Sequence, residues 1–346
     1  MFLVSLLFAA SSLSAYAGPR PESVATYKDW ITGCDNERSC SAIALAAIRG
    51  DKSNSADHLE ILIEQPLWST LDPAIIITAP IGPVAPEQMA LFIDEASIKL
   101  PPVLNGRFVF DGADKTLLLH KMRRRAWAEL RGPGGSPIAR ASLAGLTAAL
   151  LRIDQQQGRA GTERALASHG TRTPYDDLPG YSVSLTRPAQ SGRAPAKPDA
   201  KAMNELEAND QCVINSRTQA RLPIVARLDD ENTLLMMPWQ CGNGAYNLYT
   251  NILIVDDYGQ IRPAVFDYDN GVADDGPSNV LVNATWNDSK RTLEGFILYR
   301  ALGDCGRIDQ FIWDGAEFRL SEQRVMPECR GSFDTIRVWK VDVMDR

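Results

Sequence analysis

Histidine is scarce in this chain: three residues in 346, at His58, His120 and His169. A hydrolase working through imidazole needs a nucleophile and an orienting group beside one of them. The local signatures that supply such neighbours, G-x-S-x-G and H-E-x-x-H, are missing, and so is a glycine-rich phosphate loop. No C-x-x-C pair occurs, which removes the usual spacings of zinc and thioredoxin-type redox sites. Beyond the first residues, no apolar run approaches the ~20 residues a membrane-spanning helix needs. Positive charge is also short: 36 Lys and Arg against 43 Asp and Glu leave a net −7. That sign is wrong for gripping a phosphate backbone, so nucleic acid is not an expected partner.

What is present begins with an apolar stretch from Phe2 to about Ala10, followed by small polar residues and "AYA", with Ala15 and Ala17 in an A-x-A arrangement. This is the pattern of a secretory signal peptide over residues 1–17, with Gly18 as the mature start, although no Lys or Arg precedes the apolar run. The expected location is periplasmic or secreted, and the mature chain is expected to be soluble. Export changes how the six cysteines read: in an oxidising compartment an even count points to disulfides. Cys34 and Cys40 flank the polar "DNERS" between "DWITGC" and "CSAIAL", which read as two short strands. A Cys34–Cys40 bond would staple that hairpin and contribute about 2–3 kcal/mol by restricting the unfolded chain. Cys212, Cys241, Cys305 and Cys329 are expected to pair among themselves, with Cys212–Cys241 and Cys305–Cys329 as the favoured scheme.

The stretch "TRPAQSGRAPAKPDAKA" is rich in Pro, Ala and Lys and nearly free of large apolar residues. It predicts a flexible linker over residues 188–203. The fold class expected is an α+β N-terminal domain over 18–187 and a mainly-β C-terminal domain over 204–346, an antiparallel sandwich or curled sheet, both disulfide-bonded. In the first, "HLEILIEQ", "AIIITAP", "MALFID", "AWAELRG" and "SPIARASL" carry strand patterning. "GADKTLLLHKMRRR" is spaced as a helix through Leu117, Leu118 and Met122. "SLAGLTAALLRIDQQQGR" predicts a second helix, capped by Ser142, with an apolar face of Leu143, Leu146, Leu150 and Ile153 and a stop at Gly158. A short helix is expected around "GTERALASHG". In the second domain, segments from "NTLLMMPW" to "IRVWKVDV" read as strands separated by Asp, Asn and Gly turns. That part is acidic, with 14 basic against 23 acidic residues over 204–346, which suits a cationic partner or a divalent cation.

"DWITGCDNERSCSA", "SLAGLTAALLRIDQQQGRAGT", "WQCGNGAYN", "LGDCG" followed by "WDGAEFRL", and the late "CRG" together resemble a family of exported Gram-negative proteins catalogued as a domain of unknown function, number 1176. These motifs run in order over nearly the whole mature chain. The N-terminal motifs, including the strand ending at Asp94, are also distantly similar to invasion-associated locus B proteins, although the cysteines preceding the helix there have no counterpart between Cys40 and Cys212. The resemblance implies an envelope protein and supplies no catalytic residues.

Three stretches are candidates for binding. "KMRRR", Lys121 to Arg125, reads either as an anion patch or as cations closing a helix at its negative end; the second is preferred, and His169 before Gly170 is read the same way. "DYDNGVADDG" brings Asp267, Asp269, Asn270, Asp274 and Asp275 together; calcium is the alternative to a solvated acidic turn, but the EF-hand spacing fails. Repulsion among the carboxylates predicts Asp267, Asp269, Asp274 and Asp275 exposed at a rim. "PWQCGNGAYN" offers Trp239, Asn243, Tyr246 and Tyr249 either as a ligand-presenting loop or as packing for a Cys241 disulfide. The functional expectation is a non-enzymatic envelope binding or interaction module whose partner is an envelope protein or glycan with a basic surface. No cofactor is expected apart from possible calcium. The alternative is a glycan-cleaving envelope hydrolase using paired carboxylates, since sequence spacing does not fix the distance between two carboxylates.

Overall fold

The computed structural model describes residues 19–49, 52–53, 57–67, 73–173, 180–190, 192–209, 222–240, 243–273 and 276–346. The expected leader, Cys212, Cys241, Asp274 and Asp275 lie outside the described residues. The protein is mostly β, built from several antiparallel sheets, with two disulfides among the described residues. No helix among the described residues is long and apolar enough to cross a membrane.

A seven-stranded sheet takes the order Ala25–Tyr27, Trp30–Cys34, Cys40–Ala44, Ile61–Gln65, Ala74–Thr78, Arg107–Phe110, Val103–Leu104, every neighbouring pair antiparallel. Cys34 and Cys40 sit directly opposite each other in its hairpin and are disulfide-bonded, with Cα atoms 3.9 Å apart. A four-stranded sheet follows the order Pro137–Ser142, Trp127–Arg131, Ala90–Ile93, Ala96–Ile98. Helix α1 (Gly112–Met122) follows Arg107–Phe110 in the chain and contacts Ala74–Thr78; helix α2 (Leu146–Gln156) packs on Trp30–Cys34 and Cys40–Ala44.

The apolar face of α2 is the expected one, with Leu143, Leu146, Leu150 and Ile153 all buried. Its start differs from expectation. Ser142 ends a strand and accepts the Ala144 N–H on its hydroxyl, while the helix begins at Leu146 after Gly145. Gly145 adopts φ +100°, and a Cβ there would lie 1.7 Å from the Tyr27 carbonyl oxygen, so the chain turns where only glycine fits. On α1 the buried face is Leu118, Leu119 and Met122, and Leu117 points outward. Leu118 and Met122 are buried as expected, and Leu119 takes the place expected of Leu117.

In the C-terminal region, Ile224–Arg227, Asn232–Pro238, Tyr249–Asp256 and Ile261–Pro263 form one antiparallel sheet, with Val280–Val282 also pairing to Tyr249–Asp256. Thr285–Asn287, Thr292–Leu298, Gly306–Trp313, Phe318–Met326 and Ile336–Lys340 form another. Both sheets feed one core that includes Leu234, Ile252, Ile254, Phe311, Trp313, Phe318 and Trp339. Ser184–Arg187 pairs parallel to Asp342–Asp345. The Cys305–Cys329 disulfide forms as expected. Along 188–203, the Ala196 N–H donates to Thr233 Oγ1 and the Asp199 N–H to the Gly259 carbonyl. Helix α3 (Ala200–Asn209) then lays Met203 and Leu206 against Leu235, Leu253 and Val255.

A further core joins the two regions: Ile31, Ile43, Leu45 and Leu62 pack with Cys305, Met326, Ile336 and Val338. Successive residues of a strand face opposite ways, so Trp30 enters the core shared with α2 while Ile31 enters the one shared with Ile336. Around it lie polar ties. The buried Arg330 guanidinium donates to the carbonyls of Lys28 and Ala46 and pairs with Asp29 at 2.5 Å. Arg337 meets Asp35 at 2.8 Å, and Asn36 exchanges hydrogen bonds with the Lys340 backbone.

Candidate functional site

The segment expected as a short helix after α2 is instead a compact loop, residues 159–172, and a single carboxylate explains why. Asp154, on α2 and fully buried, accepts the backbone N–H groups of Leu166 at 2.6 Å, Ala167 at 2.8 Å and Ser168 at 3.1 Å. Those donors are then committed to Asp154 rather than to helical carbonyls. The Gly161 N–H donates to the Ser168 carbonyl and the Arg172 N–H to that of Gly161, closing the loop. At Gly170 a Cβ would come within 2.3 Å of the Gly161 oxygen, so the two strands of the loop touch only through glycine.

This loop faces the C-terminal end of α1 across a cavity of about 500 Å³. Leu119 and Leu166 give it an apolar floor; His120, Arg123, Arg159, Arg164, Glu163 and His169 give it polar walls. Three guanidinium groups against one carboxylate make the lining formally +2 with neutral histidines, on a chain of net −7. Arg123 donates from Nη2 to the Ala167 carbonyl at 2.5 Å, and its Nε is buried without a hydrogen-bond partner among the described residues. Burial lowers its proton affinity, the field of Asp154 raises it, and Arg124 lowers it again. Arg164 is exposed, and its guanidinium makes no hydrogen bond or ion pair among the described residues. Elsewhere Arg107, Arg227 and Arg337 all rest on carboxylates. The His169 ring lies 3.4 Å from the Glu163 carbonyl.

Of the run Lys121–Arg125, Arg124 and Arg125 are exposed as a solvated helix end, but Arg123 turns into the cavity. The preferred reading of that run therefore holds for part of it. The gathering of His120 and Arg123 with residues 159–169 was not legible in sequence. Its one local trace is that His120 and Arg123, three apart, share a face of α1.

The aromatic loop is braced from within. The Asn243 side chain donates to the Trp239 carbonyl at 2.9 Å and accepts the Tyr249 N–H at 2.7 Å. Trp239 lies on the Tyr249 ring with centroids 5.1 Å apart, and Tyr246 is exposed. Asn247 and Asn283 tie the same loop to the Leu298 and Phe296 backbone.

In the acidic loop the expectation of exposure fails at Asp267. Its carboxylate is 4% exposed, accepts the Leu320 N–H at 2.8 Å and lies 3.8 Å from Arg319. Burial pushes its pKa up to about 6, against the Leu320 hydrogen bond and Arg319, which favour the ion. The turn folds back between the two sheets, where the carboxylate serves as a backbone acceptor. Asp269 is exposed and accepts the Gly271 N–H, and the buried Asn270 amide donates to the carbonyls of Ser278 and Val280. No group of three or more His, Cys, Asp or Glu placed to hold a metal occurs among the described residues.

Glu60 and Asp334 are one pair of neighbouring carboxyl groups among the described residues. The Glu60 carboxyl is held above its usual range by burial first and by the Asp334 charge second, while Arg107 pairs with Asp334 at 2.7 Å.

The model of the family described as "Protein of unknown function (DUF1176)" matches residues 24–343. The uncharacterized protein YpfG of Escherichia coli (strain K12) is 25% identical over 332 residues, covering 88% of each chain. The crystal structure of invasion associated protein b from Bartonella henselae is 19% identical, covers 39% of this chain and 99% of its own, and superposes with a TM-score of 0.30.

Proposed function

From a chain that belongs to the DUF1176 family, a family whose description names no activity, we propose an exported, non-enzymatic binding protein of the cell envelope that holds a ligand in the cavity between α1 and the 159–172 loop. The observation that carries this is the cavity itself: about 500 Å³, with an apolar floor and convergent polar walls, on a loop fixed by Asp154. That size and lining are those of small-molecule sites. The apolar leader in the sequence and the two disulfides support the export part of the reading.

Thr116, on the exposed side of α1, lines the cavity, so Thr116→Trp fills it without touching the core. Native mass spectrometry of protein purified from the envelope is expected to show a retained small molecule that this variant loses. A folded Thr116→Trp protein that keeps every bound mass and every thermal-shift response of the wild type overturns the proposal. The carboxylate-hydrolase reading rests on Glu60 and Asp334, where an acid raised by burial sits near a carboxylate paired with Arg107. Glycan cleavage by the purified protein that disappears in Glu60→Gln would put that reading first.

A further inference from the structure

The cations of the cavity have a consequence for what enters it. We propose that the ligand is a small molecule carrying a phosphate group, bound between Arg123 and Arg164 with His120 and His169 at the flanks. This rests on the cavity being the binding site. Arg337 is neutralised by Asp35, and Arg107 by Asp334. Here Arg164 has no such partner among the described residues. The Arg123 Nε is buried and closed to a ligand, but Arg123 and Arg164 both line the cavity, and an anion with several acceptor oxygens can be shared between the two guanidinium groups.

A carboxylate occupies one guanidinium fork, whereas a phosphate presents acceptors in several directions and suits donors converging from two elements. The donors do converge from two places: His120 on α1 and Arg123 at its C-terminal cap, Arg164 and His169 from the loop that Asp154 holds in place. Glu163, on the same loop, works against the anion but is outnumbered by the three guanidinium groups of the lining. The apolar floor of Leu119 and Leu166 is then left for the uncharged remainder.

The test is calorimetric titration of the mature protein with inorganic phosphate and glycerol 3-phosphate, with succinate as the carboxylate control. Arg164→Gln is the clean variant, since it breaks no contact within the protein. It is expected to weaken glycerol 3-phosphate by roughly tenfold or more, the loss of one charge-assisted contact. Arg124→Gln removes the same charge one residue outside the cavity and is expected to change affinity less than about twofold, because solvent and salt screen it. Equal losses in the two variants, or succinate binding as well as phosphate, overturn the phosphate assignment. Phosphate indifference combined with a neutral ligand displaced by Thr116→Trp overturns it too, while leaving the cavity reading in place. Binding to vesicles containing phosphatidic acid, competed by inorganic phosphate and lost in Arg164→Gln, would identify a lipid headgroup as the source; binding to free glycerol 3-phosphate without vesicle association identifies a soluble one.

Discussion

Asp154→Asn removes one charge and one acceptor from the centre of the loop that forms the cavity wall. The wild-type carboxylate spends Oδ1 on the Leu166 N–H and Oδ2 on those of Ala167 and Ser168. An amide has one oxygen. In its better orientation it keeps the two bonds at the Oδ2 position and turns its own N–H groups towards Leu166. A hydrogen bond to a charged group contributes about 1.5–3 kcal/mol, and a buried donor left facing another donor costs about 1–3 kcal/mol. Since these overlap, a loss of about 3 kcal/mol is expected, in urea unfolding at pH 7.5 with an unchanged m-value. Amide exchange should locate it: protection falls at Leu166 most, then at Ala167 and Ser168, with the strands around Trp30 unaffected. Phosphate affinity should fall as well, because Arg164 and His169 ride on the loop. A stability loss below about 0.5 kcal/mol with unchanged exchange at Leu166 would refute the view that Asp154 sets the loop's shape.

His58 is held at a pKa of about 4, chiefly by burial and further by Arg330, against the Ala44 hydrogen bond and Asp29. The unfolded chain therefore takes up a proton from about pH 6.5 downward that the folded state refuses until about pH 4, and stability falls across that window by up to about 3 kcal/mol. Melting temperatures of His58→Gln should lose that acid slope. Asp267 has the opposite sign: its folded pKa of about 6 exceeds the ordinary 3.8, so the folded state binds the proton more tightly and stability falls as pH rises from about 4 to 6. Asp267→Asn should flatten the curve there, and an unchanged slope would show that the carboxylate is not inside. Arg330→Ala strands the carbonyls of Ala46 and Lys28 and the charge of Asp29, for an expected loss of about 3–5 kcal/mol in denaturant unfolding. Residues 18–187 expressed alone should bind a hydrophobic dye through the uncovered Ile31, Ile43, Leu45 and Leu62, whereas a fragment that binds none would mean that this face is covered from within.

The sequence by itself determined the local devices. The strands over 61–65, 74–78 and 127–142, the apolar face of α2 and the Cys34–Cys40 staple follow from spacing and turn residues, which act over a few residues; the Cys305–Cys329 pair is the favoured scheme among several. Only the tertiary structure decided what those devices meet. "DNERS" reads as a polar turn, and Asp35 and Asn36 are buried because Arg337 and the Lys340 backbone, some 300 residues along the chain, supply their partners. Asp267 reads as one of several exposed carboxylates, yet the Leu320 N–H draws it inward. The loop after α2 has the composition of a helix, and a single buried carboxylate outside it redirects three of its donors. The cavity is of this second kind, since His120 and Arg123 come to face Arg164 and His169 only when α1 and α2 pack into one core. Periodicity fixes which side of an element is apolar; which other element covers that side, and which charges arrive with it, is a property of the folded chain.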